Sequence, residues 1–169
     1  MLQGALIYIT GFSGSGKSTL AKQVVASLQV NKGIKAIFLD GDTLRECVHN
    51  FDYTSNGRMS MAMYYVKIAK ILVDQGFVVV LATISMFDKV RDFNRENFKV
   101  YLEIFLDVSL EIRQKRDSKN FFKNNTINMV GLNQEAELPK NSHLVFKDEV
   151  DTAFASEKIL RLFSDLTQL

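Results

Sequence analysis

The residues best suited to chemistry lie in one short run near the start of the chain. Gly11 to Ser18 reads G-F-S-G-S-G-K-S, which fits the pattern G-x-x-x-x-G-K-[ST] in full. Glycines let such a loop close around an anion, and the N-terminus of a following helix adds partial positive charge. Lys17 can reach the outer phosphates of a nucleotide, and the Ser18 hydroxyl can bind Mg²⁺. The run predicts a nucleoside triphosphate site whose phosphate-binding residues are Gly11, Ser13, Gly14, Ser15, Gly16, Lys17, Ser18 and Thr19.

A second group of charged residues follows at Asp40-Gly41-Asp42. One carboxylate could hold Mg²⁺ or its water ligands, and the other could accept the proton of an acceptor hydroxyl. Metal positioning and base catalysis stay open for both residues. Asp42 could instead only cap the helix that follows. Arg45 comes one short turn later, where it could bind an anionic group on the acceptor.

These two groups need a scaffold, and the hydrophobic pattern predicts one. Apolar runs alternate with helical periodicity, which is typical of a parallel α/β sheet. Both groups then follow strands, at the carboxyl edge where such sheets bind ligands. The predicted strands are 4–10, 36–39, 77–82, 100–106 and 143–146, and the predicted helices are 17–31, 43–50, 60–75, 88–98, 109–116 and 152–166. In helix 60–75 the pattern predicts that Tyr64, Ile68, Ile71 and Leu72 face inward.

Length and composition limit the class of protein. The chain has 169 residues, which fits one domain, and its formal net charge is only +2. This balance excludes a broad electrostatic grip on nucleic acid or on an anionic membrane. The single cysteine, Cys47, is expected to be buried or half-buried and favours a reducing compartment. No leader or membrane segment is evident, so we expect a cytoplasmic protein.

Among proteins with a phosphate loop, two classes compete. A GTPase switch would need N-K-x-D and D-x-x-G motifs, whereas residues 31–34 read N-K-G-I and no D-x-x-G occurs. A small-molecule kinase needs a second charge site and a cover that excludes water from the transferred phosphoryl group. The polar segment 117–140 lacks periodicity, and we interpret it as a lid or, alternatively, as a disordered insert. The sequence therefore favours a kinase that acts on a small-molecule acceptor.

Four segments occur in the order seen in adenylylsulfate kinases. They are Gly11–Thr19, Leu39–Arg45, Ile84-Ser85 and Lys115–Lys119. The resemblance implies a single P-loop kinase domain over 1–169, with a three-layer α/β/α arrangement, a five-stranded parallel sheet and a lid at about 117–140. It also implies the use of MgATP to phosphorylate the ribose 3′-hydroxyl of adenosine 5′-phosphosulfate. Family members often dimerise, so a homodimer is expected.

The resemblance also implies roles for particular residues. Arg116 and Lys119 would lie in the lid over ATP, and Arg45 and Arg58 would grip the anionic groups of the acceptor. The residues expected to take part in catalysis are Lys17, Asp40, Asp42 and Arg116, and the metal ligands would be Ser18 and Asp40. The acceptor site would comprise Asp42, Arg45, Tyr53, Arg58, Ile84, Ser85, Lys123 and Met129.

Departures from the family pattern bear on the acceptor. Met61 and Met63 stand where the family has Asn and a second Arg, and Met129 stands where it has an aromatic residue that stacks on adenine. A thioether cannot replace the bidentate anion recognition of Arg, although Met can fill the same apolar volume after neutral drift. The chain resembles the family's sub-group from bacterial capsule loci that acts on cytidine diphosphoramidate. An ordinary adenylylsulfate kinase and a non-catalytic nucleotide-binding module are the alternatives.

Overall fold

The computed structural model describes residues 3–116 and 136–168. Five strands form one parallel sheet in the order β2-β3-β1-β4-β5. The strands are β1 Ala5–Gly11, β2 Ile37–Asp40, β3 Val78–Thr83, β4 Tyr101–Asp107 and β5 Leu144–Lys147. The helices are α1 Lys17–Lys32, α2 Gly41–Cys47, α3 Ser55–Asp74, α4 Asp88–Asn97, α5 Leu110–Lys115 and α6 Thr152–Thr167.

Helices cover both faces of the sheet. One apolar cluster joins α1 and α6 to the sheet, and a second joins α3 and α4 to the other face. The central strand β1 is buried along its whole length, as is β3 beside it. Strands buried on both faces read as continuous apolar runs, which is why β1 and β3 were visible in the sequence. The predicted three-layer α/β/α fold with five parallel strands is confirmed.

Helix α3 differs most from its prediction. It begins at Ser55 rather than at residue 60, because the Thr54 hydroxyl accepts a hydrogen bond from the Gly57 amide at 3.1 Å and caps the helix. Its inward stripe was also wrong, since Tyr64 is 41% exposed and Ile71 is 61% exposed. The helix is apolar on several sides, so periodicity does not fix which side meets the sheet. The residues that are buried are Met61, Ala62, Tyr65, Val66, Ala69 and Val73.

Two further expectations meet the structure here. Cys47, the last residue of α2, is exposed rather than buried. Within residues 3–116 and 136–168, no helix is both long and apolar enough to cross a membrane.

The segment predicted as a lid lies mostly outside the described residues, since 117–135 are not among them. Its last part is described and is attached to the β3–α4 connection. The amide of Glu137 donates to the Met86 carbonyl at 3.1 Å, and Arg91 donates to the Glu137 carbonyl at 2.6 Å. The chain therefore returns from this segment along the carboxyl edge of the sheet.

Candidate active site

The phosphate loop connects β1 to α1 and depends on left-handed glycines. Gly14 has φ 78° and Gly16, which caps α1, has φ 93°. A side chain at either position would be strained, so glycine is what allows this turn. The Ser15 hydroxyl is buried and has no hydrogen-bond partner in the described structure. A buried donor of this kind fits an anionic ligand in the loop, because phosphate oxygens would satisfy it.

Lys17 lies at the start of α1 and is folded back on the loop. Its Nζ donates to the Phe12 carbonyl at 2.7 Å. Burial lowers the pKa of Lys17 to about 8, while the carboxylates of Asp42 and Asp40 raise it. The charge of Lys17 is therefore coupled to those of the two aspartates of the second charge site. A phosphate group entering the loop would compete with the Phe12 carbonyl for this ammonium.

The two residues predicted to bind metal are in direct contact. The Ser18 hydroxyl donates to Asp40 Oδ2 at 2.5 Å. Asp40 Oδ1 accepts from the amides of Asp42 at 3.0 Å and Thr43 at 3.4 Å, so Asp40, and not Asp42, caps α2. A hydroxyl and a carboxylate beside a phosphate site are the oxygen donors that Mg²⁺ takes, with the rest of its shell coming from phosphates and water. Among the described residues no cluster of three or more His, Cys, Asp or Glu offers a different metal site.

Gly41 explains the pattern D-G-D in steric terms. A Cβ atom on Gly41 would lie 2.9 Å from Thr83 Oγ1 and 3.1 Å from Thr83 Cβ. Glycine therefore lets the start of α2 pack on the carboxyl end of β3. This packing fixes Asp40 and Asp42 on either side of the contact, and Asp42 stays exposed at the edge of the sheet.

Ile84 and Ser85 leave β3 at the same edge. Ser85 is buried and has φ 23°, an unusual conformation for a residue with a side chain. Its hydroxyl lies 2.8 Å from Thr83 Oγ1, its carbonyl accepts from the Tyr8 hydroxyl at 3.2 Å, and the Ile84 carbonyl accepts from Thr10 Oγ1 at 2.6 Å. Side chains from the central strand thus hold this turn in its unusual backbone conformation. Strained backbone of this kind is found at many functional sites.

The predicted acceptor arginines meet on one aromatic ring. The guanidinium carbons of Arg45 and Arg58 lie 4.8 Å and 5.1 Å from the centre of the Tyr53 ring. Arg45 is 8% exposed, and its Nη1 donates to the carbonyls of Asn50 at 3.2 Å and Asp52 at 2.9 Å. Burial and the charge of Arg45 lower the pKa of Arg58. One nitrogen of Arg45 therefore binds the backbone of the segment that follows α2, a contact that the sequence did not predict.

The remaining predicted residues are placed unevenly. Arg116 ends α5 and is exposed. Lys119, Lys123 and Met129 lie outside the described residues. Met61 is buried in the apolar cluster of α3, and Met63 packs against the same cluster. The sequence reading missed Arg113 of α5, which is 3% exposed and contacts the phosphate loop, because a single arginine in a short polar helix carries no distinguishing pattern.

Three features define a class of protein: a glycine loop between β1 and α1, a lysine at its end, and an aspartate that ends β2 and caps α2. They are the parts of a P-loop phosphotransferase, in which positioning and charge neutralisation do most of the catalytic work. The sequence profile of the adenylylsulphate kinase family matches residues 3–147. The chain belongs to the adenylylsulphate kinase family, and it is an ATP-dependent kinase.

Three relatives illustrate the range of the family. The chain is 38% identical over 139 residues to the cytidine diphosphoramidate kinase of Campylobacter jejuni, a match that covers 80% of this chain and 81% of the relative. It is 34% identical over 155 residues to the adenylyl-sulfate kinase of Clostridium kluyveri, covering 88% and 77%. It also superposes on the whole Mycobacterium tuberculosis APS kinase in complex with AMPPNP and APS, with a TM-score of 0.87 and 26% identity over 100% of both chains.

These findings confirm the family, the fold and the kinase class that the sequence predicted. They support nucleotide binding, which agrees with the predicted role of ATP as the phosphoryl donor. Relatives named for different acceptors match the chain at similar identities, so the acceptor has to be inferred from the chain's own residues. The homodimer, the cytoplasmic location, the single-domain organisation and the roles of individual site residues stay predictions.

Proposed function

We propose that this protein transfers the γ-phosphoryl group of ATP to the ribose 3′-hydroxyl of cytidine 5′-diphosphoramidate. The product would serve the pathway that decorates bacterial capsule with O-methyl phosphoramidate. The observation that carries the proposal is the packing of Met61 and Met63 into the α3 cluster. At these positions the chain has apolar side chains packed into the core, where an adenylylsulfate kinase would have an amide and a second guanidinium.

The end group of the acceptor fits this difference. A diphosphoramidate and a phosphosulfate carry the same formal charge, but the NH2 group of the diphosphoramidate stands in place of a terminal oxygen, so this end offers one acceptor fewer to a guanidinium. Arg45 and Arg58, paired on Tyr53, provide two guanidinium groups for the 5′ substituent. A pyrimidine also needs a smaller base site than adenine, which agrees with Met129 in place of an aromatic residue. The 38% identity to an enzyme named for this acceptor supports the same choice.

The chemical step follows from the positions of the charged groups. The acceptor 3′-oxygen attacks the γ-phosphorus in line, the bond from phosphorus to the ADP oxygen breaks, and the 3′ proton passes to Asp42 or to solvent beside it. Lys17 and Arg116 neutralise charge that builds up on the transferred group. Ser18 and Asp40 would hold Mg²⁺, which would supply positive charge to offset that of the phosphates.

Substrate assays decide the acceptor. The protein is incubated with MgATP and a panel of 5′-substituted cytidine and adenosine nucleotides, and 3′-phosphorylation is followed by phosphorus NMR. We expect turnover of cytidine 5′-diphosphoramidate with a larger kcat/KM than for adenosine 5′-phosphosulfate. Turnover of adenosine 5′-phosphosulfate alone would contradict the proposal and establish the second candidate.

The second candidate, an adenylylsulfate kinase, is favoured by a different observation. Relatives named as adenylyl-sulfate kinases match the chain at 30–35% identity, which is slightly below the 38% of the cytidine enzyme, and they include the 34% match from Clostridium kluyveri. A third possibility, a nucleotide-binding module without transfer, predicts binding of AMPPNP with no product from any acceptor. The presence of Lys17, Ser18, Asp40 and Asp42 in one contiguous site argues against it.

A further inference from the structure

A buried arginine lies behind the phosphate loop and has no role in the preceding scheme. Arg113 is the fourth residue of the short helix α5 and is only 3% exposed. Arginine is almost never fully buried unless its charge is paired or stacked. Within residues 3–116 and 136–168 no carboxylate forms an ion pair with Arg113, so other contacts must support its burial.

Those contacts lead to the phosphate loop. The guanidinium carbon of Arg113 lies 4.6 Å from the centre of the Phe12 ring, within the range of a cation–π interaction. Its Nε donates to the Val108 carbonyl at 3.1 Å, and its Nη1 makes a long contact of 3.5 Å to the Ser13 carbonyl. One side chain thus joins the end of β4 to two successive residues of the loop.

The loop backbone also rests directly on this residue. A Cβ atom on Gly14 would lie 3.3 Å from the Arg113 carbonyl oxygen and 3.4 Å from the Arg113 Cβ atom. The absence of a side chain at Gly14 therefore lets the loop approach α5 closely. Three consecutive residues, Phe12, Ser13 and Gly14, are held against one turn of helix.

Phe12, whose ring Arg113 contacts, also carries a carbonyl on which the interior of the site depends. The Phe12 carbonyl accepts from Lys17 Nζ at 2.7 Å and from the Ser15 amide at 3.2 Å. The ring of the same residue carries the Arg113 guanidinium on its face. A shift of Phe12 would therefore move the acceptor of the catalytic lysine and the turn that presents Ser15.

We infer that Arg113 is a positioning residue of this kinase, which fixes Phe12, Ser13 and Gly14 in the conformation that binds the triphosphate. It acts from behind the loop and touches no phosphate. Arg113 lies in α5 and Arg116 directly follows this helix. The contact between Arg113 and the loop therefore also ties the loop to Arg116, the residue expected to neutralise the transferred group. The inference holds for either acceptor, since it concerns only the nucleotide side.

The test compares Arg113→Met with Lys115→Met. Both changes remove a cation from α5, but Lys115 lies on the exposed side, paired with Glu111 at 2.7 Å. Binding of two probes, AMPPNP and inorganic tripolyphosphate, is measured by calorimetry at one fixed Mg²⁺ concentration and well below the melting temperature of each variant. We expect Arg113→Met to weaken both probes by about tenfold, in line with the loss of a buried cation–π contact, and Lys115→Met to change neither.

The two probes separate positioning from mere packing. A fall in melting temperature with unchanged affinity for both probes would show that Arg113 only stabilises the fold, and would overturn the inference. Weaker AMPPNP with unchanged tripolyphosphate would place the effect on the nucleoside, and would overturn it as well. Arg113→Lys, which keeps the charge but loses the planar stack, is expected to recover part of the affinity.

A second variant keeps the inference testable if Arg113→Met does not fold. Phe12→Leu removes the ring while leaving Arg113 with its contacts to Val108 and Ser13. We expect about threefold weaker binding of both probes, because this is what the loss of one cation–π contact of moderate strength would give. In the double variant the two losses should not add, because they break the same contact. Unchanged binding in Phe12→Leu would count against the inference.

Discussion

The two sides of the cleft are built in different ways. On the nucleotide side the backbone does most of the work, through the left-handed Gly14 and Gly16 and the start of α1. On the side where we expect the acceptor the surface is made of side chains, chiefly Arg45, Tyr53 and Arg58, carried by α2, α3 and their connection. Backbone geometry tolerates few changes, whereas side chains can be exchanged singly. We infer from this difference that the fold fixes the phosphoryl donor, whereas exchangeable side chains select the acceptor.

The largest effect should come from the nucleotide side. Lys17→Ala removes the ammonium that we expect to bind the outer phosphates, so phosphoryl transfer should fall by about 10³-fold or more, below detection in a routine assay. Steady-state assay with MgATP measures the loss, and Lys22→Ala, an exposed lysine of the same helix, serves as the control. A Lys17→Ala protein with full activity would show that the site is elsewhere.

The second effect concerns the residue between the two sides. Asp42→Asn should lower kcat by about 10²–10³-fold, as loss of a proton acceptor or metal-positioning carboxylate does. The melting temperature should stay almost unchanged, because Asp40 and not Asp42 caps α2. Asp40→Ala should lower both activity and melting temperature, because it also removes the cap of α2. Unchanged turnover in Asp42→Asn would leave this carboxylate without a catalytic part.

The third effect belongs to the acceptor side. Tyr53→Leu removes the ring on which two guanidinium groups lie, so we expect the KM of the acceptor to rise by about tenfold while the KM of ATP stays the same. Tyr64→Leu is the matched control, because Tyr64 on α3 is exposed to about the same extent as Tyr53. An equal rise in both KM values would contradict the inference that the two sides of the cleft bind donor and acceptor independently.

The smallest effect lies away from both sides, at His143 before β5. Its Nδ1 accepts from the Glu103 amide at 3.0 Å, and burial lowers its pKa despite the nearby Glu103 carboxylate. Because the folded pKa lies below the unfolded value, the stabilisation is present above the unfolded pKa near 6.5 and is lost as the pH falls through the folded pKa. Melting temperature should therefore drop on acidification by less in His143→Asn, whose amide oxygen can still accept this bond. Equal pH profiles would refute the assignment.

The features that could be predicted from the sequence are those set by local backbone patterns, and the features that were missed depend on individual side chains. Buried strands and the glycine loop have patterns set by local rules, so β1, β3 and the phosphate loop were found with boundaries shifted by about one residue. The start of α3 was missed because Thr54 offers a cap with no change in hydrophobicity, and its inward stripe was missed because the helix is apolar on several sides. Arg113 was missed because its importance comes from tertiary contact alone.

The route of the chain between β2 and β3 has a practical consequence. Residues 41–77 contain α2, the Tyr53 region and α3, and they leave and re-enter the sheet at neighbouring strands. Asp40 holds the first end through the α2 cap, and the left-handed Gly76 turns the chain into β3 at the other. Much of the acceptor surface is therefore encoded as one uninterrupted cassette, which recombination or gene synthesis could exchange between relatives without cutting the nucleotide site.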